Sequence, residues 1–401
     1  VRVLLAIHNA YSDIVSGAAR SVRTMLEWLR QDGHACAVLS TARFDKTATE
    51  ARLRAHLQSL GIVAEWQAPA GACEVARYHL NGVAVTALDT RHNDSAAPDV
   101  AEATQFVGLF DAALRDARPD LVMAYGGHPL VRLVLERAQA AGVATVFTLR
   151  SYGYERPEFF RHASRVLTTS PYLSRHYAAQ IGLVSTGLAS PIARADVLGE
   201  AETRGFLTFV NPSLYKGAAL FARLADMLGR QRPDIPILIV QSAEDARALA
   251  SIPGLDLARH PQIVASPPFA HPREIFSLAR ILLVPSVFAE PFGRIAAEAL
   301  INGVPALVSD RGALPETVAD GGIVLPLPPW MRPATRTVPR EVDVRPWFER
   351  VAALWDDAAD YDRVATAALA AARRLYEETA QRRHYAAFFA EAATAGPART
   401  A

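Results

Sequence analysis

The chain has 401 residues, 51% of them hydrophobic and 21% charged, the balance of a soluble globular protein rather than a disordered one. That length exceeds one ordinary core and suits two domains. Forty-two basic residues offset 41 acidic ones, so net charge argues for no nucleic-acid partner.

The opening stretch, "VRVLLAIHNAYSD", lacks the zones of a signal peptide and reads as a first buried strand. From Ala18 the apolar positions Val22, Met25, Leu26 and Leu29 follow at offsets of four, seven, eight and eleven, a helical stripe that Gly33 is placed to stop. "HACAVLS", "VAVTAL", "LVMAY", "ATVFTL" and "RVLTTS" are the further strands of the first half. Near residues 186 to 205 the periodicity lapses and Gly, Pro and mixed charges collect, as in a linker.

The second half repeats the alternation with "FLTFVN", "ILIVQS", "QIVAS", "ILLVPS", "ALVSD" and "GGIVLPL". Its first helix carries Leu220, Leu224, Met227 and Leu228, with Gly229 and Pro233 expected to end it. A long helical region, roughly 343 to 395, precedes a short tail. Strands alternating with helices throughout predict parallel sheets covered on both faces. The fold class is therefore α/β, with two Rossmann-like doubly wound domains facing a central cleft lined by strand ends.

Cys36 and Cys73 stand in unrelated contexts, which argues against a disulfide framework or a zinc site and fits a reducing compartment. No stretch has the apolar length of a transmembrane helix. A cytoplasmic location is expected.

The chemistry concentrates in "FAEPFGRIAAEALINGVPALVSD", residues 288 to 310. Glu290 falls just after an apolar strand, and Glu298 lies on the small-residue helix that follows. A helix N-terminus opening into a cleft is an anion site, because its backbone N–H groups and dipole favour negative charge. Gly293 would let a ligand approach the backbone, Arg294 adds a cation, and a carboxylate at Glu298 suits vicinal hydroxyls such as those of a ribose. The bland alternative is a surface ion pair between Arg294 and Glu298, four apart, worth roughly 0.2–0.5 kcal/mol.

The wider segment "PSVFAEPFGRIAAEALINGVPALVSDRGALPE" resembles the donor-binding segment of retaining glycosyltransferases of family 4, which have the GT-B fold. The likeness lies in Glu290 to Gly293, Glu298, Gly303 to Pro305 and Gly312 to Glu316, and it extends to "SGAAR", "YGGHPLVRLVLERAQAAGV", "RVLTTSPYLS", "FVNPSLYKGAALF" and "DVRPWFERVAALWDD". It implies a first domain over 1–190 that takes the acceptor and a second over 200–377 that takes the donor, with a C-terminal helix at about 378–401 packing back on the first. Glu290 would contact donor-sugar hydroxyls, and Glu298 would hold the nucleotide ribose. Amides around Phe292, Gly293 and Arg294 would meet the sugar and its β-phosphate. Lys216 matches a lysine that neutralises the diphosphate, and Ser16 and Gly17 match a loop that approaches the phosphate.

Each role has a structural alternative. Lys216 alone is an ordinary helix-start lysine, and Gly17 alone permits a tight loop. His128 either caps a helix or faces the acceptor, and His8, at the end of the first strand, is similarly placed. Two departures from the family pattern stand out. Asn211 and Pro212 replace a usual arginine region, which Arg294 would partly cover. Arg150 stands where relatives carry a histidine that reaches the donor sugar. An arginine cannot act as a base at neutral pH, so it is either a substrate-contacting cation or a core-edge residue.

The resemblance implies transfer of a sugar from a nucleotide-diphosphate sugar to an acceptor hydroxyl of a small molecule, glycan or glycolipid, with retention of anomeric configuration. No cofactor and no metal are expected; the one Asp-x-Asp, Asp360 to Asp362, reads as solvated helix surface. The alternatives are a non-catalytic nucleotide-sugar binder of the same fold and a GT-B phosphorylase or hydrolase. Weak peripheral contact with the inner face of a membrane is a further reading, resting on Arg373-Arg374 and Arg382-Arg383 near Tyr376, Tyr385, Phe388 and Phe389.

Overall fold

A computed structural model describes residues 1–13, 16–44, 52–68, 73–90, 100–241, 249, 252, 254–333 and 335–396. The chain divides into two compact units, the first comprising residues 1–191 and 379–401 and the second residues 192–378.

In the first unit the strands are β1 (Arg2–Ala6), β2 (Ala35–Thr41), β3 (Ala64–Gln67), β4 (Val75–Leu80), β5 (Val83–Leu88), β6 (Leu121–Ala124), β7 (Ala144–Leu149), β8 (Arg165–Thr168) and β9 (Thr186–Gly187). They form one sheet in the order β3-β4-β5-β2-β1-β6-β7-β8-β9. Side chains alternate across it with the period of two that a strand imposes. Val3, Leu5 and Ile7 join one core with Met25, Leu26, Trp28 and Leu29 of the helix Gly17–Gln31. Leu4 and Ala6 join the opposite core with Phe106, Phe110 and Val134. Both faces are covered, as the near-continuous apolar runs require.

One expectation needs correction: the sheet is not wholly parallel. β3 pairs antiparallel with β4, and β4 with β5. Neither β3 nor β4 stood out as an apolar run, because β4 alternates buried Tyr78 with exposed Arg77 and His79. The local signal was the turn, where Asn81 and Gly82 both adopt positive φ (49° and 79°), the Asn-Gly signature of a tight hairpin.

In the second unit the strands are β10 (Phe206–Val210), β11 (Ile237–Val240), β12 (Ile263–Ser266), β13 (Ala279–Val284), β14 (Ala306–Ser309) and β15 (Ile323–Leu325). Their order is β12-β11-β10-β13-β14-β15, and every pairing is parallel. The helix Ala218–Gln231 buries Leu220, Leu224, Met227 and Leu228 against the sheet, as the stripe predicts. It does not stop at Gly229, which lies inside it. A Cβ there would sit 2.4 Å from the His260 ring, so the glycine serves close packing rather than termination.

The predicted helical region resolves into Glu341–Asp356, Ala358–Leu375 and Glu378–Thr394. The first seats Trp347, fully buried, in the core of the second unit. The last places Tyr385, Phe388 and Phe389 in the core of the first. Those aromatics and Tyr376 are all buried, Arg374 pairs with Asp320, and Arg382 pairs with Asp32. The aromatic patch on which the membrane reading rested is therefore core, not surface. Among the described residues no helix is long and apolar enough to cross a membrane. Asp360 is likewise not simply solvated: Arg350 and Arg363 both bind it and hold its carboxyl below the usual range. Neither Cys36 nor Cys73 forms a disulfide among the described residues, and burial raises the Cys36 thiol to about 11.

Candidate functional site

In the second unit β10 and β13 lie side by side at the centre of the sheet, and the loops at their C-terminal ends carry Lys216 and Glu290. This is where strand order reverses, the position at which open α/β sheets take ligands. Ser213 caps a single turn, Leu214–Lys216, that swings Lys216 back toward the sheet. Lys216 Nζ donates to Glu290 Oε1 at 2.6 Å, and Ser286 Oγ donates to the same oxygen at 2.6 Å. The Glu290 side chain is 8% exposed and that of Lys216 34%, so the carboxylate is fixed while the ammonium still reaches solvent.

The backbone of Glu290 is also locked. It forms a lone parallel bridge with Gly312, and its carbonyl accepts from Ala313 N at 2.8 Å. Gly312 has φ 63°, and a Cβ on it would stand 2.3 Å from Glu290 N. Only glycine fits that approach, which gives the Gly-x-x-Pro-Glu turn at 312–316 a physical reason beside the glutamate.

Gly293 (φ 86°) turns the chain into the helix Arg294–Ile301. The first-turn amides of a helix have no intrahelical acceptor, so this tip presents donors. The Phe292 ring is buried edge-on to Tyr376 at 6.0 Å, and its carbonyl accepts from Thr317 Oγ1, which anchors the tip from behind. Glu298 accepts from Arg294 Nε at 2.7 Å. The partners are those of the bland surface-pair reading, but the setting is not: the two side chains are only 14% and 3% exposed.

One residue escaped the sequence reading. Ser286, four before Glu290, orients the carboxylate, and Ser309 Oγ donates to the Ser286 carbonyl at 2.6 Å. Ser286 was visible only as an unremarked serine at the end of an apolar run. Asn211 adopts φ 62°, a conformation asparagine tolerates better than most residues, and its Oδ1 is buried without a partner among the described residues. A cavity of about 420 Å³ lies beside these groups, lined by Val287, Asp310, Arg311, Leu327, Met331 and Arg332. That size falls within the range of small-molecule sites.

The remaining candidates lie in the first unit. Ser16 caps the helix Gly17–Gln31 through its Oγ, which accepts from Ala19 N at 3.4 Å. Gly17 is exposed, and a Cβ there would meet nothing within 4 Å, so packing does not demand glycine. His128 caps the helix Pro129–Ala140, its Nδ1 accepting from Leu130 N at 3.2 Å. The structure also brings His8 to it: the two rings stack with centroids 3.7 Å apart and planes 13° from parallel. Burial, then His128, then Arg43 push the His8 imidazole down to about 3, so it is neutral at ordinary pH. Arg150 follows β7 directly, and burial lowers its guanidinium from the usual value. Among the described residues no carboxylate pairs with it.

Residues 194–328 match the family described as glycosyl transferases group 1. No curated protein matches the chain at a significant level. Among solved structures, sucrose-phosphate synthase from Thermosynechococcus elongatus aligns over 98% of this chain and 99% of its own, with a TM-score of 0.69 at 16% identity. The pneumococcal O-GlcNAc transferase GtfA, in complex with UDP and GlcNAc, aligns over 98% and 99% with a TM-score of 0.66 at 11% identity. Anabaena HepE, in complex with UDP and glucose, aligns over 96% and 99% with a TM-score of 0.64 at 14% identity. At these identities the likeness establishes the fold, and the fold is GT-B.

Proposed function

We propose that the chain is a glycosyltransferase that moves a sugar from a nucleoside-diphosphate sugar to an acceptor hydroxyl with retention of configuration, the second unit holding the donor. The observation that carries this reading is the buried Glu290 carboxylate, fixed by Ser286 and Gly312 and joined to Lys216 beside an amide-rich helix tip. A glutamate so held reads sugar hydroxyls, because an ionised carboxylate accepts several hydrogen bonds. The Lys216 ammonium has three donors and gives one to Glu290, which leaves others for phosphate oxygens.

Glycosyl transfer builds positive charge at the anomeric carbon as the diphosphate departs with negative charge. Lys216, Arg294 and the helix tip would stabilise that leaving group, a preorganised electrostatic device. Glu298 would meet the ribose, with Arg294 swinging between its present partner and the phosphates. In this reading the acceptor hydroxyl attacks from the leaving-group face, and the departing phosphate oxygen takes its proton, so no side chain need serve as nucleophile or base. The likeness to glycosyltransferases, two of them bound to UDP and a sugar, supports the donor class. Neither a metal nor a cofactor has a step in this scheme.

Incubation of the full chain with UDP-, GDP- and ADP-sugars, followed by mass spectrometry, tests the proposal. Release of one nucleoside diphosphate, lost in Glu290→Gln, is the expected result. Tight donor binding without turnover under any acceptor would favour the non-catalytic reading, to which Asn211-Pro212 and Arg150 lend support.

A further inference from the structure

In the first unit four basic side chains stand at the C-terminal ends of four neighbouring strands. Arg43 follows β2, His8 follows β1, His128 follows β6 and Arg150 follows β7, and β2-β1-β6-β7 are consecutive in the sheet. The chain runs from β1 outward to β2 on one side, and β6 lies on the other. The stacked His8 and His128 rings therefore sit over the point where strand order reverses.

Each of the two rings carries a buried nitrogen without a partner among the described residues. His128 Nδ1 accepts from Leu130 N, so in the neutral ring the proton sits on Nε2, and that buried atom has no partner among the described residues. His8 is 4% exposed, and its Nδ1 is likewise buried without a partner. Arg43 lies close enough to disfavour protonation of both rings. No carboxylate among the described residues pairs with the guanidinium of Arg43 or of Arg150. His8 is buried and Arg43, His128 and Arg150 are half-buried. Groups so placed are ordinarily paired, yet apart from the Leu130 bond to His128 this row, basic on four adjacent strands, has no acidic counterpart among the described residues.

We infer that the row Arg43, His8, His128 and Arg150 binds a phosphate carried by the acceptor, the molecule whose hydroxyl receives the sugar. Guanidinium groups match phosphate oxygens in a two-pronged geometry, and a neutral imidazole N–H adds a directional donor between them. The inference rests on the proposed transferase reading and names the acceptor class it leaves open. The phosphate comes either from a soluble sugar phosphate or from a lipid headgroup.

Calorimetry on the full chain distinguishes the outcomes. Glucose 6-phosphate should bind at least tenfold more tightly than glucose, and Arg43→Gln should remove most of that preference while leaving UDP affinity unchanged. Arg43→Lys should restore part of it, which separates lost charge from lost structure. Flotation with phosphatidylinositol vesicles, against phosphatidylcholine vesicles, separates the sources: retention on the former that Arg43→Gln abolishes assigns the phosphate to a lipid, and its absence beside sugar-phosphate binding assigns it to a soluble acceptor. Equal binding of glucose and glucose 6-phosphate, with no selective vesicle retention, overturns the inference. Failure of UDP to bind the wild type would instead sink the donor reading and leave the phosphate comparison readable.

Discussion

Lys216 Nζ and Glu290 Oε1 stand 2.6 Å apart although 74 residues separate them in sequence. β10 delivers one and β13 the other, so the contact exists only because those strands are neighbours. Replacing Glu290 by Gln keeps the shape and the Ser286 hydrogen bond but removes the charge. Turnover should fall roughly 100- to 1,000-fold, the scale of losing one preorganised electrostatic group. Stability should change by no more than about 1 kcal/mol, since the lysine is partly exposed. Steady-state kinetics beside urea unfolding checks both; unchanged kcat removes Glu290 from the site.

Lys216→Ala should weaken binding of the nucleoside diphosphate. A charge-assisted hydrogen bond contributes about 1.5–3 kcal/mol, which corresponds to roughly 10- to 100-fold in affinity. Titration calorimetry reads this directly, and an unaltered Kd would return Lys216 to the ordinary helix-start lysines.

Gly312→Ala should be more damaging than its size suggests. The residue has φ 63°, and the new methyl group would press on the backbone of Glu290 at 2.3 Å. Strain of this kind costs about 1–3 kcal/mol, and displacing Glu290 should cost activity as well. A variant as stable and active as the wild type would mean that this turn does not hold the glutamate.

His8 makes the first unit acid-sensitive. Its imidazole is pushed down to about 3, chiefly by burial, whereas in the unfolded chain it titrates near 6.5. Between those values the unfolded state binds a proton that the folded state refuses, so stability is lost as pH falls from about 6.5 toward 3. The limiting slope is about 1.4 kcal/mol per pH unit. Denaturant unfolding of wild type and His8→Asn at pH 7 and pH 5 should show a smaller pH dependence in the variant; equal dependence contradicts the burial argument.

Arg150→His restores the residue that the resembling family carries. Because arginine holds its charge where histidine titrates, the exchange should alter kcat/KM about tenfold or more. Identical kinetics in a folded variant would make Arg150 a core-edge residue.

All twelve apolar strand runs read in the sequence are strands in the structure, most of them because buried parallel strands must be apolar on both faces. The edge strands β12 and β15 expose Val264 and Val324 and are apolar without being buried. β3 and β4 were not read, since a half-exposed edge hairpin spreads its signal over alternating polar positions and one Asn-Gly turn. Glu290, Lys216, Arg294 and Glu298 are legible through the motif, and the Arg294–Glu298 pair through its four-residue spacing. The burial of that pair and the Lys216–Glu290 pair are not, because they depend on side-chain packing and on strand adjacency. The His8–His128 stack is invisible for the same reason, since no local pattern brings residues 120 positions apart into ring contact. Ser286, only four residues before Glu290, is a lone serine that carries no motif of its own.

Hydrogen exchange across the second unit, with and without the nucleoside-diphosphate sugar selected by the donor screen, tests the account most directly. Donor should slow exchange at the amides of Leu214–Lys216 and of Glu290 to Ala297. A donor that binds and leaves both segments unchanged would contradict it.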